Sequence, residues 1–173
     1  LAFAACGSSP APAASEAPAA EDDGTVKVAI IKQLDHASLD EIANAIAARF
    51  DEMNAAGDVK VEYSISSGQN DQTILKQLCD QAIADKVDVI VPIATTAAQV
   101  ATLSAEGTGV KVVYAAISDP AAANLTGIDY VTGTSDALNT SFILDMMFAQ
   151  NPDIKKVGLL YSLSEPNSAT PIA

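Results

Sequence analysis

From residue 26 onward the chain alternates short β-branched runs with longer stretches in which apolar residues recur every three or four positions. VKVAII (26–31) has the continuous apolar character of a strand covered on both faces. In SLDEIANAIAARFDEMNAAG, Ser38 and Glu41 have the spacing of a capping box. Leu39, Ile42, Ala43, Ile46, Phe50 and Met53 then share one helical face, and Gly57 supplies a stop. The cycle repeats: VKVEYSI (59–65) reads as a strand and DQTILKQLCDQAIADK (71–86) as a helix with Ile74, Leu75, Leu78, Cys79, Ala82 and Ile83 inward. VDVIVPI (87–93) is a third strand, followed by a helix over 94–107 with Thr95 or Thr96 as its N-cap. VKVVYAAI (110–117) is a fourth strand, SDPAAAN a loop and LTGIDYVTGT an extended passage. A fourth helix over about 137–150 carries Leu138, Phe142, Ile143, Met146 and Met147 and stops before Asn151-Pro152. VGLLYS (157–162) reads as one more strand, and SEPNSATPIA opens another loop and helix. Strands alternating with helices predict a parallel sheet with right-handed crossovers and helices on both faces.

The first 24 residues break this pattern. FAACG, with Cys6 after small apolar residues, resembles a bacterial lipobox at the end of a signal peptide, and residues 7–24 hold three prolines and four acidic residues with almost nothing large to bury. Such a segment cannot offset its ordering entropy, so it reads as a disordered tether, roughly 20–25 Å in root-mean-square span. Cys6 is then the expected lipidation site. The chain starts without Met and stops at SATPIA, and reads as a fragment at both ends. With 173 residues it holds one domain, or one domain and part of another. Nine basic against 22 acidic residues, a net charge of −13, argue against nucleic acid as a partner. No internal run approaches the roughly 20 apolar residues of a membrane-spanning helix, so the body reads as soluble. Cys79 and Cys6 make neither a disulfide framework nor a C-x-x-C metal signature.

Parallel sheets bind ligands at the carboxyl ends of their strands, which directs attention to QLDHAS, SSGQND, PIATTAAQ, ISDPAAAN and YSLSEPNS. Thr95 and Thr96, or Asn167 and Ser168, at helix N-termini suit an anion, or else merely cap their helices. His36 is the only histidine; without a second ligand or a nucleophile elbow it reads as lining a site, not as a metal ligand or catalyst. Asp119 before Pro120 would pair with an ammonium or initiate a turn. Neither G-x-G-x-x-G nor G-x-x-x-x-G-K-[ST] is present, so no nucleotide cofactor is indicated, and no catalytic residue, metal or other cofactor is assigned.

QNDQTILKQLCDQAIADKVDVIVPIATTAAQ, KVVYAAISDPAAANL, VTGTSD and KVGLLYSLSEPNS resemble the bacterial ABC transporter substrate-binding lipoproteins associated with tryptophan and tyrosine uptake. The resemblance implies a type I periplasmic-binding-protein fold, two α/β lobes with ligand in the cleft between them. It divides the chain into residues 1–24 (leader remnant, lipobox and linker), 25–131 (N-terminal lobe) and 132–173 (crossover, with VTGTSD, and the start of a second lobe). Apolar surface on the fourth helix would then lack a sheet to cover. By similarity, the cleft-facing residues of the first lobe are His36, Gln69, Asn70, Ala94, Thr95, Thr96, Ser118 and Asp119. Those of the second are Ser135, Asp136, Glu165, Asn167 and Ser168, with Tyr161 as an aromatic wall. Thr95 and Thr96 suit the carboxylate of an amino acid, and Asp119 or Glu165 its ammonium. The implied protein is a non-catalytic, extracytoplasmic receptor anchored to the membrane through Cys6, which captures a small solute and hands it to ABC permease subunits. The rivals are a ligand-sensing receptor domain of the same fold and an α/β enzyme lobe.

Overall fold

The computed structural model describes residues 24–57, 59–137 and 139–160. Five strands and four helices follow in the order β1 (Thr25–Lys32), α1 (Ala37–Ala56), β2 (Lys60–Ser67), α2 (Gln72–Ala84), β3 (Val89–Ile93), α3 (Thr95–Ala105), β4 (Lys111–Ile117), β5 (Val131–Ser135) and α4 (Thr140–Gln150). The strands form one sheet in the order β2-β1-β3-β4-β5, and every pairing is parallel. This is the α/β arrangement predicted from the strand–helix alternation. The extended passage expected after β4 supplies the edge strand β5.

The inner strand β1 is apolar from Val28 to Ile31 because it is covered on both faces. Ala29 and Ile31 point into a core with Leu75, Cys79, Ala97 and Ala101 from α2 and α3, whereas Val28 and Ile30 meet Ala43 of α1 on the other face. Of the face expected of α1, Leu39, Ile42, Ala43, Ile46 and Phe50 pack into this second cluster, whereas Met53, one turn further on, is not part of it. Cys79 is buried with no exposed surface, and burial pushes its thiol up to about 11, in keeping with a small core residue.

Four local expectations are corrected. Helix α1 starts at Ala37, so Ser38 lies inside it and does not cap it; its N-cap is His36, whose Nδ1 accepts from Ser38 N at 3.3 Å. Helix α3 is not capped by Thr95 or Thr96, which lie inside it; the N-cap position belongs to Ala94, which makes no side-chain cap bond. Helix α4 begins at Thr140, with Asn139 Oδ1 accepting from Phe142 N at 2.9 Å. The strand expected over 157–162 does not form across 157–160, where Val157, Leu159 and Leu160 are exposed. A strand needs a neighbour to satisfy its backbone groups, and no described strand lies beside this segment. Residues 161 and 162 lie outside the described residues. The apolar exposure expected of α4 is present: it has no buried residue, and Phe142, Ile143, Leu144, Met146 and Phe148 are all exposed. Leu138, expected to share that face, lies outside the described residues.

Candidate ligand site at the strand ends

In a parallel sheet all strands end on one edge, so the loops after β1 to β5 converge there. The strand order reverses direction between β1 and β3: β1 leads outward to β2, whereas β3 opens the run to β4 and β5. That switch point leaves a crevice between loops that diverge to opposite sides. A recess of about 220 Å³ lies at this place, lined by Gln33, Leu34, His36, Leu39, Ala94, Thr95 and Ala116. A larger groove of about 560 Å³ runs along the outer side of α3, from Thr96 to Glu106, against the loop around Ala123 to Tyr130.

The backbone at the recess departs from ordinary geometry. Pro92, fully buried in the central strand β3, has no N–H to give the ladder; pairing with β4 lapses after Ile90 and resumes at Ile93 in unchanged register. Ala94 follows at φ 78°, ψ 162°, a region reached essentially by glycine alone, and Ala116 sits at φ 58°. Conformations of this kind cost about 1–3 kcal/mol each and persist where the surrounding structure enforces them. Here the enforcement is visible: Ala94 N donates to Ala115 O at 3.1 Å, and Ala94 O accepts from Ala98 N at 3.0 Å.

The residues expected to face a ligand fall into three groups. His36, Ala94 and Thr95 line the recess together. Thr95 is buried, and its Oγ1 has no hydrogen-bond partner. Gln69, Asn70 and Thr96 do not line the recess: Asn70 and the Thr96 N–H are tied to it through the Gln33 side chain, Thr96 lines the larger groove, and Gln69 and Asn70 adopt left-handed backbone at φ 52° and 59°. Ser118, Asp119, Ser135 and Asp136 form the far end beyond β4. There Ser135 Oγ reaches Ser118 O at 3.5 Å and Asp136 N donates to Ile117 O at 3.2 Å. Asp119 takes the turn-initiating role that was one of its two readings, since its Oδ1 accepts from Ala122 N at 2.9 Å. Tyr161, Glu165, Asn167 and Ser168, like Cys6, lie outside the described residues.

Sequence reasoning passed over Gln33, although it stands first in QLDHAS at a strand end. Gln33 is 3% exposed; its Nε2 donates to Asn70 Oδ1 at 3.0 Å while its Oε1 accepts from Thr96 N. A polar residue directly following an apolar strand was the available signal, and His36 drew attention instead. Beside it, the Lys32 ammonium binds Asp40 and Asp35, the latter at 2.9 Å. These contacts, Asp40 first, raise the Lys32 pKa above its ordinary value, and the ammonium together with Ser67 holds Asp35 below the usual carboxylate range. The positive charge nearest the recess is thus already neutralised by carboxylates. Among the described residues no group of three His, Cys, Asp or Glu side chains is placed to hold a metal ion.

The sequence model of ABC transporter substrate-binding proteins matches residues 27–173. The chain belongs to this family. Among its relatives, the "Tyrosine-binding protein" of Clostridioides difficile (strain R20291) is 26% identical over 146 residues, 82% of this chain and 42% of its own length. Of solved structures, an ABC domain in complex with L-Trp from Streptococcus pneumonia is 31% identical with a TM-score of 0.77, covering 86% of this chain and 51% of that one. A conserved domain protein from Vibrio cholerae superposes with a TM-score of 0.74 at 24% identity, over 84% of this chain and half of that one. The chain therefore spans about half the length of these relatives. Its parallel α/β fold is the one they share, in line with the periplasmic-binding-protein-like class expected from the sequence.

Proposed function

We propose that this chain carries the N-terminal lobe, residues 25–131, of a solute receptor that captures an aromatic amino acid outside the cytoplasmic membrane and delivers it to ABC permease subunits. The protein binds without catalysing a reaction. Residues 132–173 make the crossover and open a second lobe that closes over the ligand, and Cys6 carries the lipid anchor through the linker that ends at residue 24.

The observation that carries this reading is the recess at the β1/β3 switch point, where Leu34 and Leu39 offer apolar wall and Thr95 offers a buried hydroxyl without a partner. An amino acid needs that combination: donors for its carboxylate at a helix N-terminus, and apolar surface for its side chain. A ring fits the apolar side, and the carboxylate approaches the first turn of α3. The relatives that bind tyrosine and L-Trp support the same class of ligand. Of the other cleft residues, Asn70 and Thr96 frame the carboxylate side, Ser118, Ser135 and Asp136 line the far end, and Asp119 or Glu165 takes the ammonium.

The test is a thermal-shift and calorimetric screen of the full chain against aromatic amino acids, other amino acids, sugars and nucleosides. At a ligand concentration of 100 Kd the native state gains about 2.7 kcal/mol. Shifts are expected for tyrosine, tryptophan or both; shifts confined to a sugar would sink the amino-acid reading. For the anchor, Cys6→Ser should move the protein from the membrane to the soluble fraction, and unchanged membrane association would refute lipidation at Cys6.

A further inference from the structure

Helix α3 points its first turn at the recess, yet its N-cap is an alanine with no side chain to offer. The first N–H groups of a helix have no intrahelical partner, and Ser, Thr, Asp or Asn normally supplies one locally. Here the acceptor comes from a residue 63 positions earlier: Gln33 Oε1 receives the Thr96 N–H at 3.2 Å. The other end of the same amide donates to Asn70 Oδ1 at 3.0 Å. The Gln33 backbone completes the brace, its N–H donating to Ile93 O at 3.2 Å and its carbonyl accepting from Asn70 N at 2.8 Å.

We propose that Gln33 is a positioning residue of the ligand site, capping α3 in trans and locking the Asn70 loop to it so that both walls of the recess hold one geometry. The proposal rests on the reading of this recess as the solute site. Both walls need such a brace. Asn70 sits in left-handed backbone at φ 59° and Ala94 at φ 78°, and neither conformation is self-sustaining. Burying a glutamine also carries desolvation and side-chain entropy costs that a local cap would avoid. A Ser or Asp at position 94, however, would place its side chain in the recess that Ala94 lines. Capping from β1 satisfies the helix while keeping the space in front of it open. The orientation of the amide is specified as well, because a flipped Gln33 would set its NH2 against the Thr96 N–H and its carbonyl against Asn70 Oδ1.

The experiment compares Gln33→Met, which keeps the volume and removes both side-chain hydrogen bonds, with Cys79→Ala, a core truncation remote from the recess. Both are made in the full chain, and each is measured for Thr96 amide exchange, melting temperature and affinity for L-tyrosine and L-tryptophan. Gln33→Met is expected to quicken Thr96 exchange several-fold and weaken binding about tenfold, the scale of one net hydrogen bond. Cys79→Ala is expected to lower the melting temperature and keep wild-type affinity. Unchanged Thr96 exchange in Gln33→Met would overturn the trans cap, and faster exchange with unchanged affinity would overturn its bearing on the site. Equal affinity loss in the two variants at equal loss of melting temperature would reduce Gln33 to a stability role. A wild-type chain that bound no amino acid would overturn the functional reading instead, while Thr96 exchange would still decide whether Gln33 caps α3.

Discussion

Replacing Ala94 by glycine should stabilise the protein, the reverse of what Ala→Gly does at nearly any other position. At φ 78°, ψ 162° the alanine Cβ opposes a backbone conformation that glycine enters freely, and relief of that strain is worth about 1–3 kcal/mol. Glycine also adds about 0.4–1 kcal/mol of unfolded-chain entropy that folding must overcome. The difference is a net gain of about 0.5–2 kcal/mol, or about 2–4 °C in melting temperature per kcal/mol for a chain of this size. Ala101→Gly, inside α3 and fully buried, is the matched control and should lose at least the roughly 1 kcal/mol of helix propensity. Ligand affinity should move the other way. A freer residue 94 leaves the start of α3 to be ordered on binding, and part of the roughly 1–2 kcal/mol for fixing one residue then falls on the ligand, giving a loss of about three- to tenfold. Urea denaturation and calorimetry measure both quantities. An Ala94→Gly protein less stable than wild type would refute the strain argument, and equal or tighter binding would refute its link to the site.

Thr95→Val should likewise raise stability, by about 1 kcal/mol, because it removes a buried hydroxyl without a partner, while weakening amino-acid binding; a loss of stability would show that the hydroxyl is satisfied in solution. Gly133→Ala should destabilise by about 1–3 kcal/mol, since the added Cβ would stand 2.2 Å from the Tyr114 carbonyl oxygen and β5 would have to move; a midpoint in urea equal to wild type would contradict this packing. Asp71 caps α2 through Thr73 N at 2.7 Å and Ile74 N at 3.2 Å, and these bonds, Ile74 first, hold its carboxyl below the ordinary range. A depressed folded-state pKa gives stability that is fully present above the unfolded value near 3.9 and lost as pH falls through the folded one. The melting deficit of Asp71→Ala should therefore be full at neutral pH and shrink below about pH 4; a deficit independent of pH would mean that the charge contributes nothing.

The fold was legible in the sequence because its information is periodic. Leu39, Ile42, Ala43, Ile46 and Phe50 repeat at helical spacing and all reach one core, and the β-branched runs of β1, β3 and β4 are the signature of strands covered on both faces. What escaped was decided by contacts distant in the chain. Thr95 and Thr96 look like caps from their neighbours alone, but the acceptor for α3 comes from Gln33, which no local window contains. His36 was marked as a site residue, and the structure gives it two tasks, lining the recess and capping α1. VGLLYS has a strand's composition, yet a strand exists only with a partner, and pairing is not written in the segment itself.

Several departures from ideal structure meet at one place. Over most of the sheet the local rules hold: its strands pair in parallel, with one register shift between β4 and β5 at Tyr114/Ile117, and its two faces close over apolar clusters. At the β1/β3 edge, a proline interrupts the central ladder, two alanines take backbone angles that suit glycine, a threonine hydroxyl is buried without a partner, and a helix starts without its own cap. Each of these lowers stability. Their convergence on one recess of about 220 Å³ is the pattern expected when local consistency is given up to hold a binding geometry. The groove of about 560 Å³ beside α3 carries part of the same cost, since Thr102 Oγ1 is buried without a hydrogen-bond partner and Asn124 is left-handed in its wall, but no residue of its lining takes the glycine-only backbone of Ala94. Volume alone would choose the groove, whereas backbone strain and strand order together choose the recess.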